Sequence, residues 1–202
     1  KRRKRGRNFG HFKGVETVKK VVKNSIKLKV PILTFYVFSS ENWKRPKKEI
    51  IFLFKLIQNY FSKEITNINN QGIKINILGE FRKLPFSIKS ILKKKIHKTK
   101  KNKKIVVNLA INYGSKLEIL HALKKCKKKM TLRKIEKNLY LRDCPDILIR
   151  TGGHKRLSNF MLWQLAYTEL FFIDKLWPDF RVQDLAKIIN KFKNIKRNFG
   201  AI

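Results

Sequence analysis

Between Arg150 and Ser158 the chain gathers two arginines, two adjacent glycines and a serine: Arg150-Thr-Gly-Gly153, then Arg156, Leu157 and Ser158, with Asn159 next. Guanidinium forks bind phosphate oxygens bidentately, and glycines let backbone N–H groups approach an anion closely. A second polar group, Ser39, Ser40, Glu41, Asn42, Trp43 and Arg45, follows an apolar run, and Glu169 adds a carboxylate later in the chain. Mg²⁺ is commonly held through one or two carboxylates together with substrate phosphates. The inventory implies a phosphate-binding site, and a diphosphate is the anion it suits. Nothing in the chain matches a Walker loop, a zinc Cys/His pattern or a serine nucleophile elbow.

Each of these residues also has an ordinary structural reading. Gly152-Gly153 without its arginines is a plain turn, Trp43 is equally a core aromatic, and Glu169 beside Tyr167 and Leu170 is an end-of-element carboxylate. His97 and His121 sit on helical stretches and read as structural or solvated, whereas His11, between Gly10 and a helix start, stays open.

The elements that must position these groups alternate in type. Val15, Val18, Val21, Val22, Ile26 and Leu28 keep a helical period within Gly14 to Leu28. Pro31 to Phe38 is β-branched and aromatic and ends at the polar Ser39 group, as a buried strand running into a loop does. After Pro46, Ile50, Leu53, Phe54, Ile57, Phe61, Ile65 and Ile68 describe a long amphipathic helix ended at Gln71-Gly72. Strands are predicted at Ile73–Leu78, Lys104–Ile111, Asp146–Ile149 and Leu170–Ile173. Helices are predicted at Pro85–Ile96, from a capping Ser115 to Lys129, at Thr131 onward, at Leu157–Tyr167 and at Val182–Ile195. Strands alternating with helices, and apolar on both faces, imply an α/β fold: a single domain, residues 1–202, with a mostly parallel central sheet flanked by helices. In such sheets ligands bind at the carboxyl ends of the strands.

Composition narrows the field. The 202 residues suit one domain of ordinary size, and 43% hydrophobic content is too high for a disordered basic tail. The apolar runs fall short of the roughly 18 residues that span a bilayer. With only Cys126 and Cys144 and no signal-peptide pattern, a reducing cytoplasm is the expected setting. The net charge of +37 favours polyanions in general, yet it is mostly lysine scattered along the chain, and Lys93–Lys95 and Lys127–Lys129 read as solvated faces. Lys1 to Arg7 is denser, with six basic residues in seven, and reads as a nucleic-acid arm or as half of a phosphate-binding loop.

Phe38-Ser-Ser-Glu-Asn-Trp-Lys-Arg-Pro46, Ile149-Arg-Thr-Gly-Gly153, Arg156-Leu-Ser-Asn-Phe160, Leu162-Trp-Gln164, Tyr167-Thr-Glu-Leu170 and Leu176-Trp-Pro-Asp-Phe180 together resemble the cis-prenyltransferases, from Arg7 to about Gly200. The resemblance implies a transferase that adds isopentenyl diphosphate units to farnesyl diphosphate with Mg²⁺, forming cis double bonds in a long polyprenyl diphosphate. It implies that Arg7 and His11 hold the allylic diphosphate. Ser39, Ser40, Glu41, Asn42, Trp43 and Arg45 would line a mobile loop between the substrates, with Asn42 near the proton-removal step. Arg150, Arg156, Leu157 and Ser158 would hold isopentenyl diphosphate, and Glu169 would belong to the metal site. A cytoplasmic homodimer making peripheral membrane contact for product release is implied as well, with no specific nucleic-acid partner. The growing isoprenoid would need an apolar channel, for which the helix Ile50–Phe61 and the strand Lys104–Ile111 are the candidates.

The chain departs from the family pattern in three places. The family's Asp-Gly-Asn-Gly-Arg-Trp loop, with its principal catalytic and metal-linked Asp, would precede Lys1, so the 202 residues alone are expected to be nearly inactive. His154-Lys155 stands where Glu-His is usual, and Asn198-Phe-Gly200 stands where Arg-x-Gly is usual, with Arg197 adjacent. Two other classes compete: a catalytically impaired member acting as a partner or scaffold subunit, and a basic nucleic-acid-binding protein. A complete diphosphate cradle argues against the first, and aromatics confined to apolar faces argue against the second.

Overall fold

The computed structural model describes residues 7–126 and 130–198. Lys1–Gly6, Lys127–Lys129 and Phe199–Ile202, and with them most of the basic N-terminal run, lie outside the described residues, as does the Arg7 side chain. The chain divides into two compact units, one of residues 1–15 and 22–114, the other of residues 16–21 and 115–202.

The first unit is built on three parallel strands, β1 (Ile32–Ser39), β2 (Ile73–Leu78) and β3 (Ile105–Tyr113), in the order β1-β3-β2. Parallel neighbours need crossovers, and α2 (Lys47–Asn70) and α3 (Phe86–Thr99) supply them. Central β3 is the strand buried almost throughout, as its run Val-Val-Asn-Leu-Ala-Ile suggests. Its one mid-strand polar residue, Asn108, is satisfied sideways. The Asn76 amide donates to Asn108 Oδ1 at 3.1 Å, and Asn108 Nδ2 donates to Thr34 Oγ1 at 3.2 Å, one rung across all three strands. Buried Thr99, closing α3, accepts from Ile75 N at 3.2 Å, and Asn102 Nδ2 donates to Ile73 O at 2.8 Å, fastening the helix end to β2. The opening helix α1 (Arg7–Lys27) begins earlier than its apolar periodicity suggested.

The second unit carries β4 (Ile147–Thr151) and β5 (Glu169–Ile173), again parallel. The helices α4 (Ser115–Lys125), α5 (Leu132–Asn138) and α6 (Val182–Lys193) accompany them, α5 capped by Thr131. Every observed strand pairing is parallel, as the sequence pattern implied. Burial on both faces was expected of every strand and holds for β3 alone. β5 alternates instead, leaving Leu170 and Phe172 exposed on one face, because a two-stranded sheet covers little of itself.

Leu157–Tyr167 is not the expected helix but a chain of turns. Phe160, Met161, Gln164 and Leu165 are buried at helix-like spacing, but Ser158, Asn159 and Met161 adopt left-handed backbones with φ of 51°, 60° and 48°. A right-handed helix cannot pass through them. Ser115 likewise is not a cap: it is the first helical residue of α4, and its hydroxyl accepts from Leu162 N at 2.9 Å.

Gly79, directly after β2, has φ +123°, and a Cβ there would sit 2.3 Å from the Ile111 carbonyl oxygen and 2.9 Å from that of Asn112. Both obstacles are backbone, so Gly79→Ala is expected to destabilise by about 3 kcal/mol. Gly10→Ala, in open space on α1, should be neutral or stabilising by up to about 1 kcal/mol. Thermal denaturation of the two variants checks this; equal melting temperatures would show that the β2 exit is not constrained as described.

Candidate diphosphate-binding site

In the first unit β1 runs straight into a 3₁₀ turn, Ser40–Lys44. Asn42 closes the turn onto the strand: its Oδ1 accepts from Ser39 N at 3.1 Å, and its carbonyl accepts from Arg45 N at 3.0 Å. Trp43 is held on three sides. Its ring meets Phe38 edge-on at 5.1 Å and leans on Phe54 at 5.6 Å, while its Nε1 donates to Asn112 Oδ1 at 2.7 Å. Asn112 is left-handed, with φ 51°, and its Nδ2 donates to Glu80 O at 2.9 Å. Trp43 therefore combines the two sequence readings, packed like a core aromatic yet 38% exposed at a strand end.

Behind the turn lies Glu49, a buried carboxylate in the first turn of α2. Arg45 Nη1 donates to its Oε1 at 3.0 Å, and His11 Nε2 lies 3.4 Å from the same oxygen. One anion thus contacts two site candidates, His11, expected at the allylic diphosphate, and Arg45, expected in the loop between the substrates. Tyr36, within β1, donates its hydroxyl to Tyr113 O at 3.3 Å. Its phenol is pushed up to about 12, by burial first and then by the Glu41 charge, so it stays neutral.

In the second unit Arg150, near the end of β4, turns its guanidinium along the following loop. Nη1 donates to Ser158 Oγ at 2.8 Å and to the Arg156 carbonyl. Burial, and then the positive charge of Arg156, hold the Arg150 guanidinium below the usual arginine pKa. Among the described residues no carboxylate pairs with either arginine. Two like charges kept together without a counter-ion are stabilised by an anion laid across them, and exposed Ser158 offers a hydroxyl beside it.

The glycine pair has a different role from the one its type suggested. Gly152 N donates to Lys175 O at 2.8 Å and Gly153 N to Ile173 O at 3.0 Å, so both N–H groups are occupied by backbone. With φ of 94° and 75° the pair makes a turn that only glycine forms cheaply. The anion contacts are left to side chains.

Glu169 opens β5 opposite Ile147, whereas Arg150 stands three residues on, opposite Phe172. At about 3.3 Å per residue the two are roughly 10 Å apart along the strands. Glu169 N donates to Asp146 O at 3.0 Å, and the Asp146 carboxylate is taken by Arg197 at 2.7 Å. Arg197 also donates to Tyr167 O at 2.9 Å, closing the chain end onto the start of β4. No group of three or more His, Cys, Asp or Glu side chains gathers among the described residues. A lone hard carboxylate fits Mg²⁺ only when phosphate oxygens and water complete its shell, as is usual for that ion.

Four further residues hold these clusters in place, and of them the sequence had set only Asn159 beside the arginines. Glu49 was signalled only by its i,i+4 spacing from Arg45. Asn112 read as an exit-turn residue and Asn159 fell within the expected helix Leu157–Tyr167, yet both are left-handed, a backbone that asparagine tolerates best after glycine. Buried Glu118 left no sequence signal: its carboxylate accepts from Tyr140 N at 2.7 Å and from Gln164 Nε2 at 3.2 Å.

A parallel α/β fold with paired arginines at the end of a strand, without a carboxylate partner among the described residues, has the chemistry to suit a phosphorylated ligand. A family model described as putative undecaprenyl diphosphate synthase matches residues 1–200. An isoprenyl transferase from Oceanobacillus iheyensis is 39% identical over 98% of this chain and 84% of its own length. One from Clostridium tetani is 40% identical over 100% and 84%. A probable undecaprenyl diphosphate synthase from Campylobacter jejuni superposes with a TM-score of 0.87 at 33% identity, covering 93% of this chain and 92% of that one. Lavandulyl diphosphate synthase from Lavandula x intermedia, solved with dimethylallyl diphosphate, gives 0.90 at 28% identity over 96% and 89%. This chain belongs to the undecaprenyl diphosphate synthase family, the isoprenyl transferases.

Inorganic diphosphate titrated calorimetrically into the metal-free protein should bind. Arg150→Ala and Arg156→Ala should each weaken it at least tenfold, the worth of one charge-assisted contact of about 1.5–3 kcal/mol. Glu169→Ala should change it less than twofold. A large loss from Glu169→Ala without metal would contradict its separation from the arginines.

Proposed function

We propose that this chain condenses isopentenyl diphosphate units onto an allylic diphosphate, farnesyl diphosphate as the starter, with cis geometry, building a long-chain polyprenyl diphosphate. The observation that carries this reading is the Arg150–Arg156–Ser158 group, where two guanidiniums share one neighbourhood with no carboxylate partner among the described residues. In the reaction the allylic C–O bond to diphosphate breaks, a C–C bond forms to the terminal alkene carbon C4 of isopentenyl diphosphate, and a proton leaves C2, so that the new double bond lies between C2 and C3. The arginine pair would hold the diphosphate of isopentenyl diphosphate, which stays bonded, while negative charge grows on the departing allylic diphosphate, where separate preorganised cations would lower the barrier.

On this reading Arg150, Arg156 and Ser158 hold the diphosphate of isopentenyl diphosphate, with Leu157 against its apolar part. Arg7 and His11 attend the allylic diphosphate and Arg45 lines the loop between the substrates, with His11 and Arg45 both in contact with Glu49. Asn42 carries an amide with no titratable proton, so near the proton-removal step it works by hydrogen bonding and not as a base. Ser39, Ser40, Glu41 and Trp43 complete the wall that follows β1. Glu169 is the proposed Mg²⁺ ligand, and the ion, when bound with diphosphate, would offset charge on the leaving group.

Other features support the remaining parts of the proposal. Exposed Leu170 and Phe172 on β5 suit burial in a homodimer. No described helix is long and apolar enough to cross a membrane. Phe86, 83% exposed at the start of α3 and near Arg82 and Lys83, suits peripheral contact with an anionic bilayer. Cys126 and Cys144 are both free thiols, which suits a reducing cytoplasm. The inner face of α2, with Leu53 and Ile57 half-buried, is the proposed wall of the product channel.

In steady-state kinetics Arg156→Ala should raise the Michaelis constant for isopentenyl diphosphate roughly ten- to a hundredfold. An unchanged constant would remove Arg156 from that site. Leu53→Trp or Ile57→Trp should shorten the product by one or more isoprene units, read by chromatography of the dephosphorylated alcohols. Wild-type product lengths from both variants would place the channel elsewhere.

A further inference from the structure

The loop that carries Ser158 is built in a way that anion binding alone does not require. Ser158, Asn159 and Met161 all stand at positive φ, a conformation disfavoured for residues other than glycine. Such a conformation persists only where surrounding contacts over-determine it.

Those contacts come from the first turn of α4. Ser115 N donates to Asn159 O at 2.8 Å, and Lys116 N donates to Asn159 Oδ1 at 2.9 Å. Both N–H groups belong to the helix start and have no partner within the helix. In return the fully buried Ser115 hydroxyl accepts from Leu162 N at 2.9 Å. One turn further along α4, buried Glu118 grips Gln164 and the backbone of Tyr140. Helix and loop thus exchange bonds in both directions, and the residue at the centre of the exchange is next to Ser158.

We propose that Asn159, together with Ser115, is a positioning residue for the diphosphate cradle: its clasp on the start of α4 keeps Ser158 left-handed, with its hydroxyl against Arg150. This inference rests on the reading of Arg150 and Ser158 as ligands of isopentenyl diphosphate. Asn159 has a conformation and a side-chain carbonyl that few residues supply together. Aspartate keeps both the acceptor and a tolerance of positive φ, whereas alanine keeps neither.

The test is calorimetric titration of isopentenyl diphosphate into the protein at a temperature where every variant is folded, with melting temperatures recorded alongside. Asn159→Ala should weaken binding at least fivefold, Ser115→Ala should do so as well, and Asn159→Asp should stay within threefold of wild type. Leu185→Ala, a core truncation in α6, controls for general destabilisation and should lower the melting temperature with unchanged affinity. Should Asn159→Ala fail to fold, Ser115→Ala and Asn159→Asp carry the comparison. Wild-type affinity in Asn159→Ala or Ser115→Ala, with Arg150→Ala weakened, overturns the positioning role and leaves the substrate reading standing. Unchanged affinity in Arg150→Ala overturns the substrate reading itself, and the positioning role with it.

Discussion

Parallel strand pairing is the constraint on which the rest of the structure depends. In the first unit β1, β3 and β2 run the same way, so Ser39, Tyr113 and Leu78 all end at one edge of the sheet. The Thr34–Asn108–Asn76 rung ties all three strands at one level. A slip by one residue would bring Thr34 or Asn76 out of line with Asn108 and leave a buried amide unsatisfied. With the register held, the loop after each strand lies beside its neighbour: Trp43 reaches Asn112, and Asn112 reaches Glu80. The indole is placed by the sheet as much as by its own turn.

The second unit obeys the same rule with the opposite consequence for two functional candidates. Parallel pairing of β4 with β5 sends Arg150 toward one end of the pair and Glu169 to the other. The crossover between them has no helix. Polar bonds to α4 make up for it, from Asn159 and Leu162 at the helix start and from Gln164 to buried Glu118 one turn later. A turn-rich connection held by buried polar partners can keep a side chain in one place nearly as well as an element can, because each lost bond would leave an unsatisfied buried group.

Charge is distributed by the same logic. With 13 acidic residues against 50 basic ones, carboxylates are scarce, and several are engaged in structural pairs. Glu49 orients His11 and Arg45, Asp146 takes Arg197, and Asp184, drawn below the usual carboxylate pKa by Lys175 and the Arg181 backbone, anchors the start of α6. Arg150 and Arg156 are left to face each other. Most of the surplus lysine charge is exposed and screened within about 10 Å, whereas the part-buried guanidinium of Arg150 is screened less.

The alternation of elements, the parallel class of fold, the apolar faces of α2 and β3, and the types of residue able to bind a diphosphate are all legible along the chain. Each of these is written locally, in hydrophobic period or in side-chain chemistry. Which of those residues meet emerges from the folded packing alone. Leu157–Tyr167 has the spacing of a helix, yet contacts with α4, far away in sequence, hold it left-handed at three positions. Gly152-Gly153 has the composition of an anion nest, yet its N–H groups are taken by the backbone after β5. Glu49, Asn112 and Glu118 carry little signal, since a buried polar residue shows its purpose through partners far along the chain: Asn112 and Trp43 are 69 positions apart, Glu118 and Gln164 46. Hydrophobic periodicity is a property of neighbours along the chain. The satisfaction of a buried hydrogen bond is a property of neighbours in space, which no local pattern contains.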